Sequence, residues 1–268
     1  MRRAILVWLS ALILSSQAAG ARAAESEWLL EQTHEEAGKH EVYVSPDAIK
    51  IVCQSQGYVV VAKAPTWQIC CYRPKEKIEW LGVMDNFNGI IMRNPFAVPS
   101  INSRPISALS TVQYRGLKCT RYCPPHEMRP VILAADDIPV SARGAEFLCR
   151  YYYVHSIPKV PLFRLVNARS KNGQTVNKDW LDTQIMSDMR EGDRIVLKTE
   201  SAKKIAYNAA DFAYPKDCKR VKEINMIGYS SDGRDKMSDV MDEIGFASDF
   251  SKSQKEKTIH KTGTKADH

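Results

Sequence analysis

Residues 41–53 read Glu-Val-Tyr-Val-Ser-Pro-Asp-Ala-Ile-Lys-Ile-Val-Cys, and residues 57–63 read Gly-Tyr-Val-Val-Val-Ala-Lys. Residues 66–72 continue with Thr-Trp-Gln-Ile-Cys-Cys-Tyr, and 78–84 with Ile-Glu-Trp-Leu-Gly-Val-Met. These short apolar runs are rich in β-branched and aromatic residues. Ser45-Pro46-Asp47, the span from Gln54 to Gly57, Ala64-Pro65 and Arg73-Pro74-Lys75 punctuate them. Runs of that kind between turn residues predict a four-strand antiparallel meander. Alternation places Tyr58, Val60 and Ala62 on one face and Val59 and Val61 on the other. Both faces are partly apolar, which predicts a curved sheet with one face on a core and the other partly covered.

On the N-terminal side, Trp28-Leu29-Leu30 opens a strand or short helix, and the span from His34 to Lys39 reads as a turn. On the C-terminal side, residues 86–105 form a long loop carrying Pro95, Pro99 and Pro105. Residues 106–113 read as helical or extended, and 116–123 and 131–134 as strands. Residues 139–153 predict a helix, because Ser141 is a good N-cap and Ala145, Leu148, Cys149 and Tyr152 recur at helical spacing. Further strands are expected at 162–168, 194–199, 203–207 and 221–227. A hairpin turn is expected at Lys171-Asn172-Gly173, and Trp180, Ile185 and Met189 fit one side of a helix. Residues 230–268 are polar and Lys- and Ser-rich, which predicts a disordered tail with a weak helix near 237–244.

The chain has 268 residues, 44% of them hydrophobic, enough for a sizeable core. Its net charge of +7 sits at the ends. Arg2, Arg3 and Arg22 are unopposed near the start, and Lys252, Lys255, Lys257, Lys261 and Lys265 outnumber the acids near the finish. The middle is left at about +1, which argues against a nucleic-acid partner. Arg2-Arg3, the apolar run Ala4–Leu14 and Ala21-Arg22-Ala23 read as an export signal over 1–23. No later apolar run is long enough for a transmembrane span. The mature chain is therefore expected outside the cytoplasm, for instance in the periplasm. There its seven cysteines can oxidise. Cys119 and Cys123 are about 13 Å apart if both lie on one strand, too far to bridge each other. Pairing with Cys53, Cys70 or Cys71 is one reading of them, and burial as small hydrophobes is the other.

The order of segments resembles a family. Residues 43–50, Val59-Val60-Val61-Ala62 and residues 72–80 look like the early strands of the LolA-like exported proteins, which include periplasmic carriers of outer-membrane lipoproteins. Asp137-Ile138-Pro139, residues 145–149, Pro161-Leu162, residues 197–204 and Phe212-Ala213-Tyr214-Pro215 are similar to an uncharacterised branch of that superfamily. The resemblance implies an α+β fold over residues 24–229. Its curved antiparallel sheet, an open half-barrel covered by helices, would enclose an apolar cavity for acyl chains.

On that reading Val60, Trp67, Ile69, Trp80 and Met84 are the candidate ligand-lining residues, although apolar strand residues are more often plain core. Cys119-x3-Cys123 with His126 matches no common zinc spacing, so no metal or other cofactor is expected. There is no Gly-x-Ser-x-Gly and no His-Glu-x-x-His. Asp136-Asp137 is a poor acid–base couple, since adjacent side chains on a strand diverge. His34, His40 and His155 read as surface residues. The expected function is non-enzymatic binding of a hydrophobic ligand or lipidated partner. The alternative is an envelope interaction or structural module with a filled core that pairs through exposed strand edges. A thiol redox protein is a third reading, without a Cys-x-x-Cys to support it.

Overall fold

The structure is a computed structural model that describes residues 26–90, 106–124, 131–167, 193–231 and 233. The segments read as an export signal (1–23), as most of the long loop (91–105), as the hairpin turn Lys171–Gly173, as the helical face of Trp180, Ile185 and Met189, and as the tail beyond 233, together with His126, lie outside the described residues.

Twelve strands form one sheet. They are β1 (Ser26–His34), β2 (Gly38–Ser45), β3 (Ala48–Cys53), β4 (Tyr58–Lys63), β5 (Gln68–Arg73), β6 (Ile78–Gly82), β7 (Ser107–Tyr114) and β8 (Leu117–Cys123). After β9 (Ile132–Ala135) comes the helix α1 (Ala142–Tyr151), then β10 (Val160–Asn167), β11 (Asp193–Ala206), β12 (Lys219–Arg220) and the one-turn helix α2 (Asn225–Gly228). Their spatial order is β12-β6-β5-β4-β3-β2-β1-β11-β10-β9-β8-β7.

The meander occupies β2 to β6, five consecutive antiparallel neighbours rather than four, because Pro46-Asp47 turns the chain inside its first run. From there the chain repeats every ten residues. β4, β5 and β6 begin at Tyr58, Gln68 and Ile78, and the residue before each has a positive φ: Gly57 (71°), Trp67 (49°) and Lys77 (51°). A left-handed turn residue suits glycine and costs any other about 1–2 kcal/mol. Burial offsets that cost for Trp67, whose indole slides under α1 beside Gly144, where a Cβ would stand 3.1 Å from the ring.

Ser141 caps α1 by accepting from the Gly144 amide at 3.3 Å, and Phe147, Leu148 and Tyr151 of the helix are completely buried. The helix touches both β4 and β10. Between those strands lie β3, β2, β1 and β11, so a flat sheet would hold β4 and β10 about 24 Å apart. A helix is only about 10–12 Å wide. The sheet therefore curls around α1, yet among the described residues its two ends do not pair with each other. Phe147 stacks on Phe87 at 5.5 Å, and Tyr58 and Tyr151 share a hydroxyl contact of 3.0 Å. Tyr152 donates to Gln32 on β1 at 2.6 Å. The opposite face of the meander carries a smaller cluster of Ala48, Val59, Val61 and Phe212, the last on a three-ten turn at Ala209–Phe212.

The expected α+β half-barrel covered by helices is corrected by these observations. One large open sheet carries the fold, and among the described residues its helical cover amounts to α1 and the single turn of α2. The bulky Phe147, Tyr151 and Tyr152 let ten helical residues fill the curl. Residues that were open to a helical reading also went into strands. Ser107–Tyr114 is β7, and the two strands expected between 194 and 207 are one strand of fourteen residues. At the C-terminal side, the strand expected at 221–227 is instead the short β12 followed by α2.

Candidate functional site

The five candidate lining residues are brought together. Val60 faces Cys71, which faces Trp80 across β4, β5 and β6, and Ile69 lies between Ala62 and Gly82. All belong to the main core. Val60 and Ile69 are fully buried, Trp67 and Met84 nearly so, and Trp80 is half-buried. The Trp80 ring folds over Gly82, where a Cβ would come within 1.9 Å of it, and lies 6.4 Å from Phe87.

Two cavities lie elsewhere. One of 380 Å³ has Glu146, Cys149, Arg150, Val154, Ser156 and Ile157 among its lining residues. Its charged groups and its thiol are already engaged. Arg150 donates to Glu146 and to the carbonyls of Asp85 and Phe87, and the Cys149 thiol lies 3.6 Å from the Ile157 carbonyl. The other, of 120 Å³, includes Ala37, Tyr58, Ile90 and Tyr229. None of the five candidates lines either cavity.

All seven cysteines are free thiols, and only Cys218 is even half-exposed. The candidates Cys53, Cys70 and Cys71 lie on β3 and β5, far along the sheet from Cys119 and Cys123, which share β8. Burial pushes the Cys53 and Cys71 thiols up, and it pushes those of Cys70, Cys119 and Cys149 up to about 12. Thiols so held are poor nucleophiles at neutral pH.

The three histidines expected at the surface are instead core residues, with 2%, 2% and 6% of His34, His40 and His155 exposed. His34 stacks on Tyr152, and its Nδ1 accepts from the Glu36 amide at 3.2 Å. His40 meets the edges of Tyr151 and Tyr152, and neither of its nitrogens finds a hydrogen-bond partner. Burial pushes its pKa down to about 4, and the nearby Gly38 backbone opposes this by less. Asp136 and Asp137 diverge. The first accepts from Thr120 and Lys159, and the second from the Lys118 amide at 2.7 Å. Burial alone would raise the Asp136 pKa, but the Lys159 and Thr120 hydrogen bonds outweigh it and hold the carboxyl low. No group of three or more potential metal ligands occurs among the described residues.

What remains unexplained by packing is the end of the sheet at β7. Arg115 and Gly116, with φ of 54° and 76°, form a two-residue turn into β8. Two positive φ values match the primed turn that suits a twisted hairpin. β7 reads Ser-Ala-Leu-Ser-Thr-Val-Gln-Tyr, without a charge or a proline. Val112 and Tyr114 are buried, whereas Ser107 through Thr111 are exposed in succession. Among the described residues β7 pairs with β8 alone, and none of them occupies the backbone donors and acceptors of its other side. The sequence signal was Gly116 two residues after an extended run; the absence of alternation over 107–111 concealed it.

The opposite end is closed differently. β12 has only Lys219 and Arg220, paired parallel to β6, with Arg220 reaching Glu79 at 3.4 Å. The α2 turn behind it is held by Arg73, which donates to the Ile227 carbonyl at 2.8 Å and pairs with Glu76 at 2.7 Å.

No known protein family matches the sequence, and no curated protein matches it. Among solved structures, an uncharacterized conserved protein from Thermus thermophilus is similar over 80% of this chain and 99% of its own, with 10% identity and a TM-score of 0.31. A likeness at that level carries no argument about fold or activity, and it does not bear on the LolA-like resemblance.

Proposed function

We propose that this chain is a non-catalytic interaction module that adds an extended segment of another polypeptide to its sheet at β7. The observation that carries this reading is an eight-residue edge strand with no charge and no proline, most of it exposed. Natural edges are commonly blunted by charge, brevity or a bulge, and β12 uses the first two. β7 has one irregularity, between Ala108 and Ser110 in its pairing with β8. Strand addition draws its affinity from backbone hydrogen bonds and its selectivity from alternate side chains. The hydrophobic-carrier reading has less support, because its candidate lining residues pack against the protein's own side chains. The export signal read at residues 1–23 would place the partner outside the cytoplasm.

An alternating Thr–Val peptide titrated into the full chain tests the reading. Amide exchange over 107–114 is expected to slow as peptide binds, while exchange at β12 stays unchanged. Unaltered exchange at β7 under saturating peptide would remove the proposal.

A further inference from the structure

We infer that the strand received at β7 is β7 of a second copy, so that two chains join antiparallel about a two-fold axis. This rests on the edge-pairing reading above and names its partner.

The first support is the charge pattern. When a strand pairs antiparallel with itself, the axis brings the first half of the strand opposite the second half of its copy, and only residues near the axis face themselves. Directly opposed residues then stand about 4.5–5.5 Å apart. Any lysine or glutamate near the middle would face its own like charge. Ser107 to Tyr114 contains none. The one flanking cation described, Arg115, is turned back into its own chain, with Nε donating to the Thr199 carbonyl at 3.2 Å and the guanidinium 3.9 Å from Glu200.

The second support is side-chain character. Ser107, Ser110 and Thr111 are hydroxyl residues suited to cross-strand Thr and Ser pairing. Leu109 is among the few large hydrophobic side chains exposed, at 36%, and a facing copy would cover it.

The third support comes from the other end. A sheet with two open edges would extend without limit, copy after copy. Here β12 offers only two residues, both cationic, and so gives an incoming β7 little to pair with. With β7 much the longer and the uncharged end, β7-to-β7 pairing is isologous and stops at two chains. An edge of eight residues is about 27 Å long and smaller than most permanent interfaces, so the association should depend on concentration.

Sedimentation equilibrium of the full chain, from about 1 µM to about 1 mM, is expected to show a monomer–dimer equilibrium. Amide exchange over 107–114 should slow in step with the dimer fraction. Leu109→Lys, which places like charges near the axis, should weaken the dimer at least tenfold. Mixing it with Leu109→Glu should restore association as a heterodimer. Thr111→Pro, which removes a backbone donor, should weaken it as well, and the charge pair keeps the test decisive if the proline variant fails to fold. A chain that stays monomeric throughout, yet whose β7 is protected by the Thr–Val peptide, would overturn the second copy and leave the edge reading standing. A monomer with no peptide protection would remove both. A dimer indifferent to Leu109→Lys and without slowed exchange at β7 would place the interface elsewhere and overturn the inference.

Discussion

At one end of the sheet, Lys219 and Arg220 make a strand two residues long, backed by α2 and by the Arg73 contact to Ile227. At the other, Ser107 to Tyr114 runs eight residues without a charge, and its first five are exposed. Both ends must terminate the same ladder, so the physical demand on them is equal. The first meets it by charge and brevity, whereas the second carries only the irregularity between Ala108 and Ser110. The α1 helix meets the sheet chiefly at β4 and β10, so it does not by itself account for the difference between the ends. A strand exposed over its first five residues, yet kept free of the charges that would blunt it, is under another constraint. Pairing with a further strand supplies one.

If stability resides between the ends, the largest loss should come from the middle. Phe147 is fully buried, stacks on Phe87 and tilts against Tyr151 at 6.4 Å. Phe147→Ala should cost about 3–5 kcal/mol in a denaturant melt. A loss no greater than that of an edge variant would erase the distinction between middle and ends.

Acid provides a second probe of the middle. His40 on β2 faces Tyr151, Tyr152 and His34 and lies opposite Cys53 on β3. Its folded pKa of about 4 is below the ordinary 6.5, because burial disfavours the imidazolium. The unfolded chain therefore binds the extra proton first. The contribution is fully present above about pH 6.5 and is lost as pH falls toward about 4, with a loss of roughly 3 kcal/mol. His40→Phe should flatten that part of the pH–stability curve. A wild-type curve with no slope between those values would show that the imidazole is not held neutral by the core.

The closed end should respond less. Arg73 is 5% exposed and fastens α2 to β5 through the Ile227 carbonyl. Arg73→Met removes the donor to that carbonyl and the ion pair with Glu76 and should cost about 1–3 kcal/mol. Amide exchange should rise first over 219–229 and not over 107–114. Equal loosening at both ends would mean that they are mechanically joined.

The meander was legible because its signals are local. Pro46, Gly57, Pro65 and Pro74 sit where the chain turns, and the strands between them are β-branched. The positive φ of Trp67 and Lys77 was not legible, since neither residue advertises a left-handed turn. Ser141 and the helical spacing after it located α1, but nothing local said that one helix would serve where several were expected. β11 was divided in two because its central residues are only half-buried, and its continuity depends on β1, far away in sequence. The burial of His34 and His40 likewise depends on α1 arriving from more than a hundred residues away. Least legible was the edge. Residues 107–111 show no alternation because neither face is covered, and being an edge is a property of strand order rather than of local composition.

The smallest effect expected on folding is the most informative about the two ends. Leu109 is exposed and its strand lies outside the span of α1, so Leu109→Lys should change the stability of the monomer by no more than about 0.5 kcal/mol. Melts at low protein concentration isolate that monomer term. At high concentration the wild type should gain stability through association and the lysine variant should not, so their midpoints should separate as protein is added. If the midpoints instead differ already in dilute solution and by a constant amount, Leu109 serves the fold itself. The bare end would then be no freer than the closed one.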